Sequence, residues 1–180
     1  MSSNIPITAV DQHDFLAHRR KQEKIHWAKK HSNLTELDSI LTVEINTTEL
    51  CNRTCVFCPR HDPKIFPNRN LHLTPKGAKT IGSELGKVGF SGKISLSGFG
   101  ENLLNPDFKE IVNILRHTVP LATLECNTNG DKLTKEYAEE LFNFSGLDLI
   151  YINLYDGIEQ MTHFEEVMKD IPEDKYKYRM

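Results

Sequence analysis

The fold class this chain predicts is α/β, built from strand–helix units on a parallel sheet, and three observations point to it. Short strand-like runs recur from Ile40 onward, each is followed by a segment with helical apolar spacing, and threonine or asparagine with proline stands at two of the helix starts. At 180 residues the chain is of ordinary single-domain size and long enough to bury a core. A net charge of -3 and a pI near 6.2 show no basic surplus, so neither nucleic acid nor an acidic membrane surface is expected as a partner. The first ten residues lack the basic-then-apolar pattern of a signal peptide, and no run approaches the ~18 apolar residues of a membrane span. A cytoplasmic location is expected.

Residues 1–38 read as a charged helical extension, with Phe15, Leu16, Ile25 and Ala28 forming only a ragged apolar stripe between Asp11 and His31. Residues 39–180 read as the core. "ILTVEINT" from Ile40 alternates Leu41, Val43 and Ile45 with polar residues, the period of a strand. A long cysteine-bearing segment follows it, and then "LTPKGAKTIGSEL", where Thr74 and Pro75 suit the N-cap and first position of a helix. "KISLSG" from Lys93 is a second strand, and "NPDFKEIVNILRH" repeats the capping device with Asn105 and Pro106. "LATLEC" from Leu121 and "LIYINLY" from Leu149 are strands, followed by the helical "TKEYAEELFNF" and "GIEQMTHFEEVMKD". The closing "YKYRM" looks like the start of a fifth strand, so only about four βα units are legible. Strands alternating with helices imply parallel pairing through right-handed crossovers, with functional loops at the C-terminal strand ends.

The loop after the first strand carries the strongest chemical signal. "LCNRTCVFCPRH" places Cys51, Cys55 and Cys58 within eight residues, while the fourth cysteine, Cys126, lies far away in a strand. Such a cluster is not the spread pattern of a disulfide framework, and soft thiolates at close spacing suit zinc or an iron–sulfur cluster. With His61 the three would make a closed Cys3His zinc site, the mark of a non-catalytic binding or interaction module. Without it they would hold a cubane cluster by three corners and leave one iron open, where a small molecule can bind and react.

C-x-x-x-C-x-x-C with an aromatic residue, here Phe57, just before the third cysteine resembles the signature of radical S-adenosylmethionine (SAM) enzymes. The resemblance spans roughly Leu41 to Asp170. It implies an incomplete (β/α)6 barrel, a [4Fe–4S] cluster on Cys51, Cys55 and Cys58, and SAM chelating the open iron. Reductive cleavage of SAM would then yield a 5′-deoxyadenosyl radical that abstracts hydrogen from a peptide or small-molecule substrate, the electron coming from a donor such as flavodoxin or ferredoxin. "SGFGENLLNP" after the second strand is similar to the family's G-G-E segment, which assigns Gly98, Gly100 and Glu101 to the methionine end of SAM. Phe99 and Asn102 depart from that pattern, since the family has adjacent glycines and often a proline after the acid. "CNTNG" is similar to a T-N-G element and brings in Thr128 and Asn129, and "INLYDG" places Asn153 where relatives direct a polar group at SAM.

Cys126 reads as a buried core thiol. Glu44, Asn46 and Glu125 can face either a barrel interior or solvent. Six strands in the family against four here lead to the expectation of a C-terminally shortened form, with the fourth strand left as an open edge inviting pairing.

Overall fold

The computed structural model describes residues 40–180, so the N-terminal helix expected between Asp11 and His31, and with it the 1–38 extension, lies outside the described residues. Five strands, β1 (Thr42–Ile45), β2 (Lys93–Leu96), β3 (Thr123–Thr128), β4 (Leu149–Asn153) and β5 (Tyr176–Arg179), form one sheet in the order β1-β2-β3-β4-β5. Every pair is parallel. The crossovers carry α1 (Pro75–Lys87), α2 (Phe108–Thr118), α3 (Lys135–Glu140) and α4 (Gln160–Met168). Because strand order never reverses, right-handed crossovers put all four helices on the same face, and the sheet rolls as part of a barrel rather than as a doubly wound sandwich.

The two faces follow from the period of 2. Ile94 and Leu96 on β2, Leu124 and Cys126 on β3, and Ile150 and Ile152 on β4 are wholly buried, sharing one core with Phe108, Ile111, Val112 and Leu115 of α2. Cys126 is thus the core thiol its apolar surroundings suggested, and burial pushes its pKa well up. The opposite face carries Lys93, Ser95, Glu125, Asn127, Tyr151 and Asn153, which register places side by side across the strands. Glu125 therefore belongs to the inner, polar face, where it pairs with Lys93 Nζ at 3.0 Å. Glu44 shares that face by register but is exposed.

Helix starts divide into one kind that matches sequence expectation and one that does not. Thr74 caps α1 by accepting from Gly77 N–H at 3.2 Å, with Pro75 at the first position, and Thr134 caps α3 through Tyr137 N–H at 3.2 Å. Asn105 caps nothing at α2, which starts at Phe108. Its Nδ2 donates to Thr47 O at 2.8 Å and Leu73 O at 3.1 Å, while Oδ1 accepts from Asp107 N–H at 2.9 Å. Buried carbonyls of the long loop need a donor, and Asn105 supplies it. Gly82 and Gly86 of α1 have a packing reason: a Cβ at Gly82 would lie 2.1 Å from Thr118 Oγ1, and one at Gly86 would lie 2.3 Å from Thr118 O. Two small residues one turn apart let α1 press against the end of α2.

The expectation of an open β4 edge is overturned. β5 pairs with β4 along its length, Ile150 opposite Tyr176 and Asn153 opposite Arg179, and Leu154 N–H donates to Arg179 O at 2.7 Å. Tyr176 and Tyr178 pack on the core while Lys177 and Arg179 fall on the other face, so four residues of clean alternation suffice. Burial of Tyr178 pushes its hydroxyl pKa up to about 12. No helix among the described residues is long and apolar enough to cross a membrane.

Candidate active site

The loop between β1 and α1 is pinned at its base and held again along its middle. Glu49 N–H donates to Leu71 O and Leu73 N–H to Thr47 O, each at 2.9 Å, so the two stems zip together and residues 50–70 form a separate excursion. Within it Cys58 N–H bonds Cys55 O at 3.0 Å and His61 N–H bonds Cys58 O at 2.9 Å, tight turns that hold the last two cysteines close. Cys51 is fixed from outside: its N–H donates to Asn68 Oδ1 and its carbonyl accepts from Asn68 Nδ2, both at 2.9 Å. Arg60, nearly buried, reaches Asn68 Oδ1 at 3.2 Å and Phe99 O, and its guanidinium lies 4.7 Å from the Phe66 ring centroid.

A second set of contacts ties the excursion to the strand ends. Arg53, between the first two cysteines, donates to both oxygens of Asp131 at 2.7 and 2.6 Å and to both oxygens of Asp156 at 2.9 and 2.6 Å. Those aspartates follow β3 and β4. Asn52 adds a bond to Asp131 Oδ2 at 2.6 Å and accepts from Asn129 Nδ2 at 2.9 Å. Sequence patterns contained no cue for this clasp, because Arg53, Asp131 and Asp156 are far apart in the chain and each resembles a solvated charge.

The excursion and the strand ends enclose a cavity of about 360 Å³. All three clustered cysteines line it, with Phe57 beside them and Tyr155 packed against Phe57 at 5.6 Å between centroids. Gly98, Gly100 and Glu101 enter from the end of β2, Thr128 and Asn129 from β3, and Asn153 from β4. The ten residues that the resemblance assigned to the cluster or to SAM are therefore brought to one cavity. His61 is exposed and does not line it. Among the described residues no three His, Cys, Asp or Glu side chains converge on a single-ion position.

Glu101 is the buried charge of the site, 3 % exposed. Its Oε1 accepts from Thr128 Oγ1 at 2.7 Å and Leu103 N–H at 3.1 Å, and its Oε2 accepts from Asn129 N–H at 2.8 Å. Burial holds the carboxyl above its usual range, and these three bonds pull the other way. Burial likewise raises the Cys51 thiol, opposed by a backbone bond from Arg53. The glycines serve the protein's own backbone first. Gly98 has φ +138°, a Cβ there would lie 2.7 Å from Asn46 Oδ1, and one at Gly100 would lie 1.8 Å from Thr48 O. Asn102, where the resemblance led to a proline, is a buried bracket. Its Nδ2 donates to Leu96 O at 2.7 Å and Asn127 O at 3.0 Å, and its Oδ1 accepts from Thr47 Oγ1 at 2.6 Å, joining the ends of three strands. Asn153 Nδ2 donates to Thr128 O at 2.9 Å, which leaves its carbonyl oxygen for the cavity.

A partial α/β barrel with a thiol-rich loop over its C-terminal mouth is thus the class that fold and site define. The family model described as Radical SAM superfamily matches residues 45–178, and the chain belongs to that superfamily. Its members use a [4Fe–4S] cluster and SAM. The chain is 32% identical over 108 residues to the S-adenosyl-L-methionine-dependent 2-deoxy-scyllo-inosamine dehydrogenase of Niallia circulans, covering 60% of this chain and 42% of that protein. It is 32% identical over 137 residues to molybdenum cofactor biosynthesis protein 1 of Homo sapiens, covering 72% of this chain and 21% of that one. A crystal structure of BtrN in complex with AdoMet and 2-DOIA superimposes with a TM-score of 0.66 at 26% identity, covering 77% of this chain and 55% of BtrN. The chain therefore spans about half or less of the length of these relatives.

Proposed function

We propose that this chain is the catalytic core of a radical SAM enzyme acting on a small molecule, with Cys51, Cys55 and Cys58 as the three ligands of the cluster. The observation that carries this reading is that the three thiols line one cavity with Glu101 and the ends of β2, β3 and β4, while Cys126 is sealed in the core and His61 stands outside. Three thiolates without a fourth protein ligand suit a cluster with one open corner. When bound, cluster and SAM together supply a reductively generated 5′-deoxyadenosyl radical able to take hydrogen from a substrate.

The chain's own residues bind and orient. Ionised Glu101, held in place by its three donors, has acceptor capacity left for the ammonium of SAM. Asn153 offers its carbonyl oxygen, and Thr128 and Asn129 act by fixing Glu101. Phe57 and Tyr155, in contact ring to ring and both exposed, stand beside the thiols as an apolar surface at the mouth of the cavity. A small-molecule substrate is favoured over a peptide because one relative is a 2-deoxy-scyllo-inosamine dehydrogenase and BtrN was crystallised with 2-DOIA. An external one-electron donor completes the reaction.

Anaerobic reconstitution tests the reading directly. The wild-type protein is expected to carry about four irons per chain, and Cys51→Ala, Cys55→Ala and Cys58→Ala each to lose the cluster absorbance and the iron, while Cys126→Ala keeps both. One zinc and no iron in the wild type would reject it.

A further inference from the structure

Arg60 has no part in the assignments above, yet it carries a charge that the fold has taken out of water. Only 4 % of the residue is exposed, and it does not line the cavity. It stands two residues after Cys58, inside the turn that His61 N–H closes on Cys58 O. Its Nε donates to Phe99 O on the cavity wall, and Nη1 donates to Asn68 Oδ1 at 3.2 Å. Nη2 is buried with no hydrogen-bond partner among the described residues. Asn68 is the side chain that clamps the Cys51 backbone, so the guanidinium stands between the holder of the first cysteine and the turn of the last. The Phe66 ring covers it at 4.7 Å and meets Phe99 edge-on, 5.2 Å between centroids. Both acceptors are uncharged, and among the described residues no carboxylate pairs with Arg60.

A buried guanidinium with neutral partners alone is costly unless negative charge lies close by. The three neighbouring thiols supply it as thiolates holding a cluster, an assembly that is net negative and becomes more so on taking an electron. Attraction to a nearby cation in a water-poor wall grows with that charge. We propose that Arg60 acts on the cluster from behind the cavity wall, its buried charge stabilising the reduced form and so raising the reduction potential. This rests on the reading of the three thiols as cluster ligands. One electron passes from the external donor into the cluster, no bond is made or broken in the protein, and Arg60 stays cationic throughout.

Wild type, Arg60→Gln and Arg60→Lys are reconstituted anaerobically and titrated with dithionite and mediator dyes in the absence of SAM, the reduced cluster being followed by electron paramagnetic resonance. Arg60→Gln is expected to lower the midpoint by the equivalent of a tenfold change in the reduction equilibrium or more, about 59 mV for one electron. Lysine keeps the charge without the fork, so Arg60→Lys should stay nearer wild type than the glutamine variant. A role in bracing the loop alone predicts faster loss of iron to a chelator in both variants, with midpoints equal to wild type. Equal midpoints in wild type and Arg60→Gln would overturn the proposal, as would a lysine variant shifted as far as the glutamine one. Should Arg60→Gln hold no iron, Arg60→Met is the second neutral variant. If neither neutral variant holds iron, an iron-loaded Arg60→Lys with a midpoint near wild type supports the charge as the cause, and any other lysine result overturns it. Iron absent from the wild type rejects the cluster reading and this proposal together, whereas iron present with equal midpoints rejects this proposal alone.

Discussion

Glu101 shows how burial and function meet in a single side chain. Desolvation raises its pKa, yet the role proposed for it needs the ionised form. A charge-assisted bond to an ammonium contributes about 1.5–3 kcal/mol, so Glu101→Ala should weaken SAM binding roughly ten- to hundredfold and leave iron content unchanged, as SAM titration and iron analysis would show. The sign of the pH dependence follows from the direction of the shift. Affinity carried by the carboxylate is present above its pKa and lost below it, so the loss on acidification should begin at a higher pH than for an exposed glutamate, which titrates near about 4.3. SAM affinity measured from pH 8 downward should fall early in the wild type and stay low and flat in Glu101→Gln.

Elements are held to one another by contacts of two very different kinds. The cysteine excursion is clasped to the β3 and β4 loops through Arg53, whose partners differ in exposure: 27% for the Asp131 side chain and 60% for Asp156. Exposed ion pairs contribute little, so Asp156→Asn should have a small effect and Asp131→Asn, which also loses the full acceptor strength toward Asn52, a larger one. The measurement is the rate at which a chelator strips iron from the reconstituted protein, with Arg53→Ala fastest of the three. Equal rates in Arg53→Ala and wild type would rule out the clasp as a support of the loop. On the helix side, α1 meets α2 through bare backbone at Gly82. Gly82→Ala gains about 1 kcal/mol of helix propensity but drives a methyl into Thr118, and overpacking of this kind costs about 1–3 kcal/mol. Net destabilisation in denaturant melts is expected, with recovery in the Gly82→Ala/Thr118→Ala double variant.

At the level of the whole molecule, sheet order governs both stability and access. β2, β3 and β4 are paired on both sides, while β1 and β5 are paired on one side only among the described residues. Amide exchange should therefore be slowest in β3 and β4 and faster in β1 and β5, as resolved by exchange mass spectrometry. Exchange of β4 at the rate of an edge strand would show that β5 does not hold its place in solution. Pairing between copies through β4, which an open fourth strand would invite, is not expected, because β5 already occupies its backbone groups.

Local pattern carried most of the architecture because the period of 2 and the helix caps are properties of neighbouring residues. Alternation around Ile94, Leu124 and Ile150 placed β2, β3 and β4, and Thr74 and Thr134 fell at real helix starts. The thiol spacing and the family resemblance at successive strand ends likewise marked ten of the seventeen residues that line the cavity. What stayed hidden depends on groups distant in sequence. Arg53 becomes a clasp only when folding brings Asp131 and Asp156 to it, across 78 and 103 positions. Asn102 and Asn105 look like a motif mismatch and a cap in one dimension, and act as buried brackets in three, since only the packed loop creates the carbonyls they must satisfy. Arg179 was passed over as part of an unfinished strand. Its place in the cavity exists because β5 pairs with β4, and that pairing is a fact of the sheet and not of the four residues themselves.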